Sequence, residues 1–158
     1  MNVKAEIALS MQANQSNYAA IGEEITTALN MVIKDYPEFF WFTGAHKLSL
    51  KGTTVSSKYT LFPDYKLNGQ PVSAGDSQLS AAKIQIQQAI NSALETVPNQ
   101  ASDYEIALAL HDYLVERVQY VSEGDHQTAY GSLVSGKAVC AGYARAYQLL
   151  MNAAGIPC

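Results

Sequence analysis

The sequence has few charged residues, no surplus of basic ones and no long apolar run. Charged residues make up 15% of the 158, and 10 Lys and Arg against 14 Asp and Glu leave a formal net charge of −4 at pH 7. Surfaces that bind nucleic acid or anionic membranes are usually basic, so neither partner is expected. No apolar run approaches the roughly 20 residues of a transmembrane helix, so no membrane span is predicted. The polar, lightly charged composition favours an extracellular or cell-surface protein, although residues 1–10 lack the apolar stretch of a signal peptide.

Cysteine is nearly absent, since Cys140 and Cys158 are the only two. Helix-like sequence fills most of the interval between them and would rise about 21 Å, whereas a disulfide needs Cα atoms within about 7 Å. We therefore expect two free thiols. Neither cysteine has a histidine neighbour, and no glycine-rich phosphate loop is present, so the sequence predicts no metal and no cofactor.

Three segments carry apolar residues at every third or fourth position, which predicts three helices. The first covers residues 17–35 and the second residues 79–97, and each is followed by a proline. The third begins at Ser102, because Glu105 three residues later completes the pattern of a capping box.

Alternating residues predict a short strand over residues 3–9 and a β-hairpin from residues 46–51 and 57–66. The composition changes near residue 100. We therefore divide the chain into an accessory lobe, residues 1–100, and a C-terminal core, residues 101–158.

A dense aromatic segment, residues 37–42, follows the first helix and reads Pro-Glu-Phe-Phe-Trp-Phe. Such a segment either fills the core between neighbouring elements or forms a surface on which a peptide or carbohydrate stacks. The sequence favours the core position and leaves the stacking surface open.

Cys140 stands where a further helix is predicted to begin. Residues 129–139 indicate a loop, and apolar residues then recur at helical spacing up to Gly155. The first turn of a helix favours the thiolate form, and its free N–H groups can donate to an oxyanion. Free cysteine is also a common packing residue, so position alone leaves both roles open. Room for a substrate backbone would come from three small neighbours, Ala138, Ala141 and Gly142.

The segments around Cys140 carry a family resemblance. Residues 136–144, Gly-Lys-Ala-Val-Cys-Ala-Gly-Tyr-Ala, and residues 147–158, Tyr-Gln-Leu-Leu-Met-Asn-Ala-Ala-Gly-Ile-Pro-Cys, closely resemble the signature of bacterial transglutaminase-like proteins. Residues 111–120 resemble the helix that precedes the cysteine loop in that family. The resemblance covers about residues 102–158 and implies a papain-related α+β fold, in which the nucleophilic cysteine heads a helix packed against an antiparallel sheet. Cys140 matches that nucleophile.

In the family, a histidine and an aspartate from strands after the helix complete a Cys-His-Asp triad. The sequence stops at Cys158, where the first of those strands would begin. We therefore expect a piece of a longer protein, mainly helical with one β-hairpin and inactive alone. Of the histidines present, His46, His111 and His126, only His126 beside Asp125 is a candidate for a substitute base, and a solvated loop histidine is the alternative.

Tyr130 and Tyr143 also match the family pattern. We expect Tyr143 in the core, whereas Tyr130 either lies in the core or lines the cleft beside the thiol. Cys158 is expected to be a small buried residue in the complete fold.

The resemblance implies thiol-dependent acyl transfer on a peptide or protein amide. Cys140 would form a thioester that water or an amine then resolves, and the resemblance favours peptidase-like hydrolysis over protein cross-linking. The alternative is a non-catalytic binding or structural module of a bacterial envelope or secreted protein, with residues 37–42 as its contact surface. Without the later strands, the stripe of Tyr143, Tyr147 and Leu150 would stay uncovered, so we expect the chain to self-associate through this helix.

Overall fold

The computed structural model describes residues 5–7, 16–42, 59–61, 66–72 and 76–158. This part of the chain is mainly helical, and none of its helices is long and apolar enough to cross a membrane. In chain order the helices are α1 (Tyr18–Asp35), α2 (Ser77–Leu94), α3 (Asp103–Arg117), α4 (Ala129–Leu133) and α5 (Cys140–Ala153).

The strands of the described residues are two or three residues long and pair two at a time. β1 (Ala5–Ile7) runs antiparallel to β2 (Tyr59–Leu61), which confirms the strand predicted over residues 3–9. Residues 46–51 of the predicted hairpin lie outside the described residues.

A second antiparallel pair, β3 (Lys66–Leu67) and β4 (Gln70–Pro71), closes around Asn68 and Gly69. Both turn residues have positive φ, 51° and 73°, as a tight hairpin turn requires. The third pair, β5 (Gln119–Tyr120) and β6 (Lys137–Ala138), is parallel. The resemblance implied an antiparallel sheet against the cysteine helix, but the strand that leads directly into α5 belongs to this parallel pair.

The predicted helices are confirmed, and their ends follow local hydrogen bonds. Ser102 caps α3, because its Oγ accepts from the Glu105 N–H at 3.4 Å while the Glu105 carboxylate accepts from the Ser102 N–H at 2.8 Å. The Glu105 carboxylate accepts from Ser102 N–H and also from Ser102 Oγ at 2.8 Å, and these two hydrogen bonds, the backbone one first, hold the pKa of Glu105 below its usual value. α2 stops at Leu94, before the predicted residue 97, because Val97 N–H bonds back only three residues, to the Leu94 carbonyl.

A continuous core joins α2 to α3, α4 and α5. Its most enclosed large side chains are Leu79 on α2, Leu110 on α3 and Leu150 on α5, while α1 buries only Ile21. The predicted apolar stripe of α3 is confirmed, because Leu110, Tyr113 and Leu114 are buried. The division at residue 100 stays a prediction, and the core runs across it.

The expectation that the cysteine helix is left uncovered is wrong. Leu150 is fully buried, and Tyr147 is half-buried with its hydroxyl donating to the Ala107 carbonyl of α3 at 3.1 Å. α3 therefore covers the stripe that was expected to drive self-association. Exposed apolar side chains lie instead on the opposite face of α3, at Tyr104, Leu108 and Val115. Self-association itself stays a prediction.

Candidate active site

Cys140 is the first residue of α5, as the sequence predicted. Val139 before it is extended, and no side chain caps the helix. The first helical hydrogen bond is from Tyr143 N–H to the Val139 carbonyl at 3.1 Å. Cys140 is exposed and is not in a disulfide. The thiol is therefore accessible at the positive end of a helix of 14 residues, where uncapped N–H groups favour negative charge.

The expectation of two free thiols is confirmed. Cys158 is also exposed in this chain, and its burial in a complete fold stays a prediction. The chain thus offers a second accessible thiol away from any helix start, and the two cysteines can be compared directly.

The backbone of Asp125 and His126, called here the 125–126 junction, lies between α4 and α5. A Cβ added at Gly131 of α4 would overlap the Asp125 carbonyl, and one added at Gly142 of α5 would overlap the His126 carbonyl. Glycine at both positions therefore lets the two helices contact the junction from either side.

Hydrogen bonds also tie the junction to its neighbours. The His126 carbonyl accepts from Val139 N–H at 3.0 Å, directly before Cys140. The Asp125 carboxylate accepts from the N–H groups of Asn68 at 2.6 Å and Gly69 at 3.2 Å. The junction thus fixes the start of α5 and joins it to the β3–β4 turn.

This packing corrects the expected role of the small residues. Ala138 and Gly142 are buried, and a Cβ on Gly142 would lie 2.9 Å from the Ala138 Cβ. Their small size allows α5 to contact the junction and α4, and does not leave open space for a substrate. Of the three small neighbours, only Ala141 is partly accessible.

His126 does not bond to Cys140. Its Nδ1 lies 3.0 Å from the Gly124 carbonyl, and its Nε2 lies 3.3 Å from the Ser122 Oγ. Because a carbonyl only accepts, Nδ1 is assigned the proton and Nε2 accepts from the Ser122 hydroxyl. This geometry favours the loop-histidine interpretation over the substitute base.

His111 does not supply a base to Cys140 either. His111 is exposed on α3, with Nδ1 2.9 Å from the Asp112 carboxylate. His46 lies outside the described residues.

Tyr130 is a core residue. Its ring stacks on Phe40 with centroids 4.9 Å apart, and its hydroxyl donates to Gln85 Oε1 at 2.7 Å. Burial, with a smaller effect from the charge of Asp125, raises the pKa of Tyr130. Of the two roles left open for Tyr130, the structure supports the core and not the cleft.

Tyr143 is half-buried rather than fully enclosed. Its hydroxyl donates to the Val118 carbonyl, and its ring stacks on Tyr120 at 6.2 Å. Tyr143 therefore holds the first turn of α5 against the start of β5.

Different residues of the aromatic segment have the two positions proposed for it, core and surface. Pro37 and Phe40 are buried, and Phe40 belongs to the core. Phe39 remains exposed, stacked on Tyr36 just before the segment, with ring centroids 5.8 Å apart. The core interpretation is confirmed for Phe40, and an outward aromatic surface remains.

Sequence reasoning missed α4 and Ser132. α4 is capped by Thr128, whose Oγ1 accepts from the Gly131 N–H at 3.0 Å, and this threonine was the available signal. Ser132 is 2% exposed, and its Oγ has no hydrogen-bond partner among the described residues. No sequence signal distinguishes a buried serine from an exposed one here.

Electrostatic contacts around the site are confined to the surface. Lys137 Nζ donates to the Glu123 carboxylate at 2.5 Å, and this hydrogen bond lowers the pKa of Glu123. Within the part of the chain that the structure describes, no group of three His, Cys, Asp or Glu could hold a metal ion.

A comparison with family models identifies the class of domain. Residues 90–158 match the model of the transglutaminase-like superfamily, which confirms the resemblance for this part of the chain. The match begins in α2 and includes Cys140 and the whole of α5. The sequence of residues 90–158 is therefore similar to that of the transglutaminase-like superfamily. A search of curated proteins finds no match to the chain.

Proposed function

We propose that Cys140 is the nucleophile of thiol-dependent acyl transfer on peptide or protein amides. The observation that carries this proposal is an exposed, unpaired thiol on the first residue of α5, within the transglutaminase-like match. The proposal includes a papain-related core, of which α5 would be the nucleophile helix.

In the proposed reaction, Cys140 Sγ bonds to the amide carbonyl carbon, and the uncapped N–H groups of the first turn donate to the oxyanion. The C–N bond breaks, and the amine leaves with a proton. Water or a second amine then attacks the thioester and returns the thiol. No described histidine hydrogen-bonds to Cys140, so the proposal assigns the thiol and the helix terminus to these residues and assigns no base.

Acetylation by p-nitrophenyl acetate at pH 7, mapped by mass spectrometry, tests the proposal. We expect Cys140 to be acetylated about two- to fivefold faster than Cys158, because a helix N-terminus stabilises an anion by about 0.3–1 kcal/mol. Cys158→Ser should leave the Cys140 rate unchanged, and Cys140→Ser should remove the fast phase.

His126→Ala is the control for the base, and should not change the ratio of the two rates, since both ring nitrogens bond elsewhere. Equal acetylation of the two thiols, or faster acetylation of Cys158, would contradict the proposal. Adding methylamine distinguishes the fates of the acetyl-enzyme: we expect acetate to exceed N-methylacetamide, in line with hydrolysis over cross-linking.

A binding module is the second candidate, because Tyr36 and Phe39 expose aromatic surface. A chain whose two thiols react alike would favour this candidate.

A further inference from the structure

A small cavity lies between the aromatic segment and the helices of the candidate site. Aromatic rings from residues 36–42 line one side, and Thr128, Ala129 and Arg145 line the other. Its volume of about 20 Å³ admits one group the size of a water molecule. Arg145, from the second turn of α5, is the only charged residue in this lining.

Arg145 is half-buried and has no anionic partner among the described residues. Its Nη1 donates to the Gln127 carbonyl at 2.6 Å, and no described carboxylate lies within ion-pair distance. Burial lowers the pKa of Arg145. A guanidinium carries five N–H donors, and a partly desolvated charge is costly without a counter-charge. The remaining donors therefore suit an anionic acceptor.

The other polar residue in the lining is already engaged. Thr128 Oγ1 donates to the Asp125 carbonyl at 2.8 Å and accepts from Gly131 N–H. Recognition of a polar group in this cavity therefore depends on Arg145.

Tyr36 and Phe39 extend the site towards solvent. These stacked rings are 50% and 38% exposed and line the same cavity as Arg145. Aromatic faces beside a guanidinium accommodate a flat or apolar group that carries an anion. Because the cavity itself holds only one water-sized group, one carboxylate oxygen would enter it, and the apolar body would rest on the rings.

We propose that Arg145, Tyr36 and Phe39 bind a carboxylate attached to an aromatic or large apolar group, such as the carboxyl terminus of a peptide that ends in phenylalanine. The guanidinium holds the carboxylate, and Tyr36 and Phe39 contact the side chain. The site requires no thiol chemistry and so does not depend on the proposed function of Cys140.

Trp41 provides the measurement, because it is the single tryptophan of the chain and packs edge-on against Phe39 and Phe40 at 5.7 and 4.9 Å. The probes are N-acetylphenylalanine and its amide, which differ only in the carboxylate. We expect a saturable change in Trp41 fluorescence with the acid, and at least about tenfold weaker binding of the amide, since hydrogen bonds to charged groups contribute about 1.5–3 kcal/mol.

Arg145→Gln should weaken binding of the acid by about tenfold or more, and Arg145→Lys by less, because the ammonium keeps the charge but loses the planar fork. Lys83→Gln is the matched control. Its Nζ lies 4.2 Å from the Trp41 ring but the residue does not line the cavity, so affinity should be unchanged.

Equal binding of acid and amide, no saturable change with the acid, or loss of binding in Lys83→Gln but not in Arg145→Gln would overturn the proposal. If Arg145→Gln loses its helical circular dichroism signal, the variant cannot be used. The proposal is then tested by comparing the binding of the acid and of the amide to the unaltered chain.

Discussion

Gly142 occupies the first turn of α5, where helix propensity alone would prefer alanine. An added Cβ would overlap the His126 carbonyl. We therefore expect Gly142→Ala to lower the free energy of unfolding by about 1–3 kcal/mol, the usual cost of overpacking, although propensity predicts a gain of about 1 kcal/mol. Urea unfolding measures the difference.

Ala144→Gly measures the effect of helix propensity alone, because Ala144 is exposed on the same helix. It should cost about 1 kcal/mol with no steric contribution. A Gly142→Ala variant that is more stable than the parent chain would show that α5 does not pack on the 125–126 junction as described.

At the scale of single residues, the sequence correctly predicted the features that depend on local pattern. Cys140 begins its helix as expected, because helical spacing and the preceding glycines are local signals. The role of Gly142 was misjudged because its contacts, with His126 and Ser132, come from other elements. A small residue next to a nucleophile looks the same in sequence whether it faces a substrate or a neighbouring helix.

Among the elements, α3 carries a pH-sensitive cap. The Glu105 carboxylate accepts from Ser102 N–H and Oγ, and the pKa of Glu105 is below its usual 4.5 in the folded chain. When folding lowers the pKa of a carboxyl group, the group stabilises the folded chain at pH values above its pKa in the unfolded chain. This stabilisation is lost as the pH falls through its pKa in the folded chain. The contribution of Glu105 should therefore be complete above about pH 4.5 and should decline below it.

Urea unfolding of the parent chain and of Glu105→Gln, from pH 6 to pH 3, measures this effect. We expect the parent chain to be the more stable at pH 6 and the difference to shrink towards pH 3, because the glutamine does not titrate. Glu116→Gln, near the other end of α3, is the matched control. A difference that is constant with pH, or that grows in acid, would show that the cap does not depend on the carboxylate charge.

Element length determined which elements the sequence could reveal. The four long helices show several turns of apolar spacing, and their prolines and caps mark the ends. α4 has only five residues, too few for a periodic pattern, and was predicted as loop. β5 and β6 have two residues each, and their parallel pairing joins segments separated by α4, so no local signal identifies them.

Across the molecule, the sequence showed which faces are apolar but not which element covers them. The stripe on α5 was correctly read as apolar, yet its cover was expected from later strands, and α3 supplies it through Leu110 and the Ala107 carbonyl that binds Tyr147. Tertiary neighbours follow from chain topology, which periodicity does not encode.

Asp125 links the β3–β4 turn to the start of α5. Its carboxylate accepts from the Asn68 and Gly69 N–H groups across 57 and 56 residues of sequence. Asp125→Ala removes both acceptors and should lower the free energy of unfolding by about 1–3 kcal/mol. Hydrogen exchange should show faster exchange of the Asn68 and Gly69 amides, while Asp112→Ala, which loses only a contact to exposed His111, should leave them unchanged.

The same variant tests whether residues 1–100 and 101–158 unfold together. Because the core joins α2 to α5 across residue 100, we expect Asp125→Ala to shift a single urea transition without changing its slope. If the amides of β3 and β4 exchange freely while α5 stays fully protected, and the main transition does not move, Asp125 would fasten a lobe that opens independently. That result would support the division at residue 100. It would also show that the 125–126 junction does not fix the start of α5.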